Sequence, residues 1–178
     1  AGPRFRATDR LFFTYSVSLD DVENNIGYVL DSTSGSGQQV ILFGKRDIVT
    51  ITNVLRGNYM FNSKMSLDFR IRHYWITAPY SDFYDLKEDG NLLPSPYTGD
   101  QDVNFNQFNI YLTYIWNFAP GSQLSFVWKN AINTYSNDVG DDFFSNFSNT
   151  IHSPASNSFS VKVLYYLDAL YFKKKNKI

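Results

Sequence analysis

No cysteine occurs in this sequence, which removes disulfides, thiolate metal ligands and thiol nucleophiles together. An excess of one charge is also missing: 16 Lys and Arg stand against 17 Asp and Glu, a formal net charge of -1. That balance gives no reason to expect nucleic acid as a partner, which calls for a basic domain or patch. No apolar run reaches the ~18 residues of a transmembrane helix, so a helical span is excluded. The opening AGPRFRATDR has neither Met nor a leader, and the chain is expected to be a mature product or a piece of a longer polypeptide.

Aromatic residues and alternation are what the sequence does have. Aromatics make up 18%, with 13 Tyr and 16 Phe. The mean hydropathy of -0.30 suits a soluble protein, but it is a poor guide where only every second strand residue meets lipid. Period-2 alternation recurs six times. The first run, LFFTYSVSL (11–19), puts Leu11, Phe13, Tyr15, Val17 and Leu19 on one face. The second (47–61) gathers Val49, Ile51, Leu55, Tyr59 and Phe61. The third, MSLDFRIRHYWIT (65–77), gathers Met65, Leu67, Phe69, Ile71, His73 and Trp75. The fourth (105–118) gathers Phe108, Ile110, Leu112, Tyr114, Trp116 and Phe118. The fifth, QLSFVWKNAIN (123–133), gathers Leu124, Phe126, Trp128 and Ile132. The sixth closes the chain with Phe159, Val161, Val163, Tyr165 and Leu167.

The connections alternate in length. NSK (62–64), APGS (119–122) and RATDR before the first run read as tight turns. The other three (20–46, 78–104 and 134–157) are roughly 20 to 27 residues, longer than compact soluble domains use. Short turns at one end and long loops at the other are typical of outer-membrane barrels. The runs are also longer than the ~5–6 residues of an ordinary strand and match the ~9–11 of a tilted strand crossing a bilayer.

Charge decides the face. The apolar phase of the six runs holds no Glu, Lys or Arg and one Asp, Asp47 at the very start of the second run, although 19% of the chain is charged. The other phase holds Arg56, Asp68, Arg70, Arg72, Lys129, Lys162 and Asp168. A lysine or arginine facing lipid at mid-membrane costs ~2–4 kcal/mol, so the uncharged phase is expected to face lipid and the charged phase a lumen. Tyr59, Phe61, Trp116, Phe118 and Tyr171 fall near the short turns, and Trp75, Tyr80 and Phe105 near the long loops, where an aromatic belt is favoured. The expected fold is all-β: an antiparallel up-and-down transmembrane β-barrel, in its C-terminal portion, with about six strands plus an N-terminal stub. Residues 1–172 form it, and 173–178 (KKNKI with the lysine before it) are a periplasmic basic tail. Six strands are too few to close a single-chain barrel, which starts at about eight. Upstream residues of the same polypeptide are expected to complete it.

Several stretches resemble one family. These are ILFGKRDIVTITNVLRGNYMFNSKMSLDFRIRHYW, FYDLKEDGNL, FNIYLTYIWNFAPGSQLSFVWKNAI and SNSFSVKVLYYLDALYFKKK. They are similar, in order, to the C-terminal barrel of large Bacteroidota outer-membrane proteins of unassigned function. In those proteins a sandwich like carbohydrate-binding-module family 9 precedes the barrel. The resemblance implies a location in the bacterial outer membrane, with long loops extracellular and the C-terminus periplasmic. It also implies that this chain is the tail of a longer one. It supplies no catalytic residues.

Candidate chemistry is sparse. If Phe61 faces Met65 across the NSK turn, Arg56 lies opposite Arg70, Asn58 opposite Asp68 and Val54 opposite Arg72. Opposed arginines repel, so Asp68 or a neighbouring carboxylate is expected among them. The cluster reads either as an anion-attracting lumen for phosphate, carboxylate or lipopolysaccharide groups or as a structural ion network. In the second long connection Asp82, Asp85, Glu88, Asp89, Asp100 and Asp102 outnumber Lys87. That is oxygen-rich enough for calcium, but without calcium-loop spacing it reads as a solvated acidic loop, and its metal content is left open. NDVGDDFF (137–144), with Asp138, Asp141 and Asp142, reads the same way. SGSG (34–37) reads as a flexible tip, and DST (31–33) fits a short Bacteroidota O-glycosylation pattern. His73 falls on the lipid phase, and His152 sits in the third loop within range of Asp138 or Asp141.

No catalytic residue and no cofactor is expected. The leading function is a non-enzymatic barrel acting as conduit, binding platform or accessory subunit of a larger envelope complex, linked to glycan handling or transport. Its expected partners are outer-membrane lipid and lipopolysaccharide, the upstream polypeptide and other outer-membrane proteins. A rim-active outer-membrane hydrolase and a soluble lectin-like β-sandwich remain as alternatives.

Overall fold

The computed structural model describes residues 3–33 and 39–167. Asp168, Tyr171, the basic tail and SGSG lie outside the described residues. The chain is all-β with one short helix. In order it forms β1 (Arg4–Arg6), β2 (Leu11–Thr33), β3 (Gln39–Asn62), β4 (Met65–Ala78), β5 (Tyr80–Leu86), β6 (Leu92–Pro94), β7 (Val103–Ala119), β8 (Ser122–Ser136), α1 (Phe143–Ile151) and β9 (Ser156–Leu164). The sheet order is β1-β2-β3-β4-β7-β8-β9, with β5 and β6 branching from β3, and every pair is antiparallel.

The six alternating runs are the six long neighbours of this sheet, and β1 is the stub. Cross-strand rows keep the two phases apart. Leu11, Tyr59, Leu67, Tyr114, Phe126 and Val161 form one row across all six. Phe13, Gly57, Phe69, Leu112, Trp128 and Phe159 form the next on the same face. At the short-turn end Tyr59, Phe61, Tyr114, Trp116, Phe118 and Tyr165 meet in pairs with ring centroids 4.8–6.2 Å apart. Gly121 turns the β7–β8 hairpin at φ 70°, which a side chain disfavours.

The sheet is a single layer. Among the described residues the buried hydrophobics are Leu42, Ala78 and Ile132, while Val17, Leu19, Phe159, Val161 and Val163 are exposed. Soluble sandwiches bury one face of each sheet against another. Here no second sheet covers either face among the described residues.

One of the expected long loops is largely strand and a second is partly so. β2 runs 23 residues and β3 24, so the 20–46 connection is mostly a hairpin. Register shifts between Val22/Asn25 and Tyr28/Leu30, with Asn24 at φ 54°, break the alternation there and hide the strands from a period-2 reading. The 78–104 connection begins by continuing β4. β5 follows β4 along the same partner, pairing Arg46 with Tyr80 and Ile41 with Leu86, interrupted only at Pro79. It then turns back into β6 through Gly90 at φ 84°. The 134–157 connection carries α1, whose start is capped by Asp142. DST is therefore the end of β2 rather than a loop.

Candidate functional site: a cationic row on the polar face

On the charged face the expected register holds: Arg56 pairs with Arg70, Asn58 with Asp68 and Val54 with Arg72. Only the turn differs, because Asn62 rather than Phe61 faces Met65 across a register shift. The row through the arginines continues further than the sequence reading took it. Arg70 pairs with Tyr111 and Tyr111 with Lys129. Arg56, Arg70, Tyr111 and Lys129 therefore stand side by side on four adjacent strands, and Arg72 stands next to Asn109 in the neighbouring row. Strands lie ~4.8 Å apart, so the two arginines are held close by backbone pairing despite their repulsion.

The expected carboxylate, Asp68, lines the same depression as Arg56 and Arg70 but makes no ion pair with them. Asp68 Oδ1 accepts a 2.7 Å hydrogen bond from Asn58 Nδ2. Among the described residues the ion pairs are Arg6–Asp9 and Asp85–Lys87. The row is held apart by aromatic rings instead: Lys129 Nζ lies 5.1 Å from the Tyr111 ring centre and the Arg72 guanidinium 5.4 Å from that of Tyr74. An aromatic face attracts a cation without neutralising it. Arg56, Arg70 and Lys129 are exposed, and so are Asp68 and Lys162. Two shallow depressions of about 470 Å³ each share Arg70 and Tyr111 in their walls. One adds Arg56, Asn58, Asp68 and Thr113, the other Arg72 and Asn109. Lys162 lies apart, opposite Ser125 on β8. Asp168 lies outside the described residues.

The acidic stretch does not converge. Asp82 accepts from the Ser81 hydroxyl at 3.0 Å, and Asp85 pairs with Lys87 at 3.7 Å. Asp89 accepts from the backbone and side chain of Asn91 at 3.0 and 2.8 Å, which hold its carboxyl below the usual range. Asp100 accepts from the Asp102 N–H and Asp102 from the Tyr80 N–H, while Glu88 is exposed. These are turn and strand-end bonds. Among the described residues no three metal-ligating side chains gather.

His152 is not brought to a carboxylate. Its Nδ1 donates to the Ser148 carbonyl at 2.7 Å, closing α1. Asp138 accepts from the Gly140 N–H and Asp141 from Asn149. His73 is corrected more sharply. It lies on the uncharged phase, but helix α1 covers it and leaves it 3% exposed. Phe143 and Phe147 pack edge-on to its ring at 5.8 and 5.0 Å. A network of amides surrounds it. Asn106 Oδ1 accepts from His73 Nε2 at 3.2 Å and from Asn146 Nδ2 at 2.7 Å. Asn106 Nδ2 donates to Asn104 Oδ1 and Asn146 Oδ1, and Trp75 Nε1 donates to Asn104 Oδ1 at 2.9 Å. The sequence reading missed this cluster. Its signal was present as Asn53 and Asn106 interrupting the apolar phase in neighbouring rows.

A family model described as "Domain of unknown function (DUF5916)" matches residues 1–177. The chain belongs to this family. No curated protein and no solved structure matches it. The DUF5916 description assigns no activity, so neither the cationic row nor the amide cluster of this DUF5916 domain inherits a role from it. No described helix is long and apolar enough to cross a membrane, a test that does not bear on β-barrels.

Proposed function

We propose that this chain is the C-terminal part of a transmembrane β-barrel in a bacterial outer membrane, completed by upstream residues of a longer Bacteroidota polypeptide that carries a carbohydrate-binding-like sandwich. Its uncharged face meets lipid, and its charged face lines an aqueous, anion-attracting lumen. The short turns and the C-terminus are periplasmic, and α1 with the β5–β6 hairpin is extracellular. The barrel acts without catalysis, as a conduit or binding platform within a larger envelope assembly.

One observation carries this reading. Between the short turns and the level of Leu19 and Ile51, six neighbouring strands keep their charges to one face of a single-layer sheet, with Asp21 and Asp47 on the other face only above that level; among the described residues no second sheet covers either face, and α1 covers the uncharged one only around His73. The uncharged rows run from Met65 to Trp75 along β4, about 33 Å at ~3.3 Å per residue. At a tilt of ~40° that spans ~25 Å of bilayer, the height of the apolar band of an outer-membrane barrel. The cationic row sits near mid-height, where a charge is tolerable only against water. Three cations, Arg56, Arg70 and Lys129, none of them ion-paired among the described residues and with Asp68 alone beside the arginines, favour a lumen that admits anions over one packed with ion pairs.

The full-length protein tests this in two steps. It should stay in the outer-membrane fraction through an alkaline carbonate wash and require detergent for release. Release by carbonate alone would sink the membrane reading. In planar bilayers the reversal potential under a salt gradient should report anion preference, and Arg56→Glu with Arg70→Glu should turn it toward cations. An unchanged reversal potential refutes the lumen assignment.

A further inference from the structure

Helix α1 leaves a pocket of about 290 Å³ beside it on the uncharged face. Leu55, Ile71, Phe108, Phe143 and Phe147 wall it, and Phe144, 79% exposed, stands at its lip. Two polar atoms of lining residues are buried without a partner: Nδ2 of Asn53 and Nδ1 of His73. Such atoms are rare in native structures and each is costly to leave unsatisfied.

Their chemistry is fixed by their neighbours. Trp75 Nε1 can only donate, which fixes Asn104 Oδ1 as an acceptor and Asn106 Nδ2 as a second donor to it, and so makes Asn106 Oδ1 an acceptor and His73 Nε2 its donor. Nδ1 of the neutral ring is then a bare acceptor. Tyr15 donates its hydroxyl to Asn53 Oδ1 at 2.8 Å, which leaves Nδ2 a bare donor. Asn53 and His73 are cross-strand partners, with side chains that start ~5 Å apart, so one oxygen inserted between them can reach both once the lining side chains shift, since both atoms are sealed from solvent as they stand. A hydroxyl satisfies the pair, donating its proton to Nδ1 and accepting from Nδ2. A carboxylate has no proton to give and an ammonium no lone pair. The walls are apolar, and the same face continues outward through exposed Tyr15 and Val17.

We infer that this pocket binds a hydroxylated acyl chain of an outer-leaflet lipid, its hydroxyl seated between Asn53 and His73 and its methylenes against the α1 phenylalanines. The inference rests on the membrane reading above, because that reading puts acyl chains against this face.

The test uses the full-length protein in detergent, titrated with methyl 3-hydroxytetradecanoate and with methyl tetradecanoate. Binding is followed by Trp fluorescence and by the ¹⁵N shift of His73 Nδ1. The hydroxylated ester should bind about tenfold tighter and move the Nδ1 resonance. In Asn53→Leu and in His73→Phe the preference should vanish, while the plain ester binds within about twofold of its native affinity; if one variant fails to assemble, the other decides. Equal affinities in the native chain, a preference that survives both substitutions, or no binding by either ester overturns the proposal, the last meaning that the pocket holds water. The carbonate wash keeps the two readings distinct. A chain that stays in the membrane without ester preference fails the pocket alone, and a chain released by carbonate fails the membrane reading and the lipid assignment with it.

Discussion

Removing one amide should free helix α1 from the sheet. Asn106 is 2% exposed and holds four hydrogen bonds to His73, Asn104 and Asn146. In Asn106→Ala, Asn104 Oδ1 keeps its bond from Trp75 Nε1, so two residues are orphaned, His73 at Nε2 and Asn146 at its amide, both 3% exposed. Each orphaned polar group costs about 1–3 kcal/mol, or ~2–6 kcal/mol together, and that cost persists only while α1 stays docked. Undocking lets water in and forfeits the burial of Phe143 and Phe147. Both are half-buried, and full burial of such a ring is worth ~1.5–3 kcal/mol, so undocking costs ~2–3 kcal/mol. The orphaning cost matches the undocking cost even at its low end, where the docking equilibrium shifts by about 2 kcal/mol, roughly 30-fold.

Hydrogen exchange reads this directly. The Asn146 and His152 amides, bonded to Asp142 and Ser148, should exchange up to about 30-fold faster. The amides of β4 and β7 should hold their native rates. Trp75, whose ring meets Phe143 at 5.9 Å, should emit further to the red. If α1 keeps its native protection in this variant, the amide cluster does not hold the helix and the reasoning fails.

Three further outcomes follow from the same geometry. A methyl group at Gly57 lands on the ring of its cross-strand partner Phe69, so Gly57→Ala should cost about 1–3 kcal/mol in denaturant unfolding, and adding Phe69→Leu should return part of it; full stability in the single variant refutes the ring-over-glycine packing. The Asp142 carboxyl is held below its ordinary range by the Ser145 hydroxyl, then by the Ser145 and Phe144 N–H groups. Its folded pKa is therefore below the unfolded one, and its cap is fully present above the ordinary carboxylate pKa of ~3.9. The cap is lost as pH falls through the lowered value. Exchange protection of α1 should stay flat from neutral pH to the ordinary carboxylate range and drop only below it, and Asp142→Ala should remove that step; a drop near neutral pH contradicts the assignment. Leu112→Arg, on the uncharged face, should lower the yield of assembled barrel by the ~2–4 kcal/mol of a mid-membrane cation, whereas Thr113→Arg, on the cationic face, should assemble normally; equal tolerance refutes the two-face assignment.

The strand core was legible because one physical constraint wrote it. Where each face meets a single medium from end to end, hydropathy alternates at the period of the backbone, and the runs starting at Leu11, Met65 and Gln123 announce themselves. The register across the NSK turn was legible for the same reason, since a short turn leaves few pairings that keep both phases intact. The Arg70–Tyr111–Lys129 continuation was less visible, because β4 and β7 are joined by a long connection that fixes no register by length. The upper structure was hidden by its devices. Bulges in β2 reverse the phase midway, Pro79 interrupts a strand that resumes as β5, and α1 shows helical spacing only in Phe143, Asn146, Phe147 and Thr150, within a stretch read as an acidic loop. Asp142 looked like a solvated carboxylate because capping uses the same residue as solvation does.

The positions of the register shifts carry their own argument. β4 and β7 pair without a shift from Met65 to Ala78, and β7 and β8 from Asn104 to Trp116. β2 and β3 do so from Leu11 to Val22. Every shift lies outside these stretches: between Val22/Asn25 and Tyr28/Leu30, at Lys45/Arg46, at Met60/Asn62 and at Trp116/Ala119. A one-residue slip exchanges the faces of all that follows. On the proposed membrane reading, a slip within the band would carry Arg70, Arg72 or Lys129 to the lipid face, at ~2–4 kcal/mol each. Beyond the band, on the same reading, both faces would meet water or protein and a slip would cost little. A sheet with one dry face over a limited height should thus exclude bulges over that height and admit them above and below. A wholly soluble sheet has no reason to divide its irregularities at those two levels.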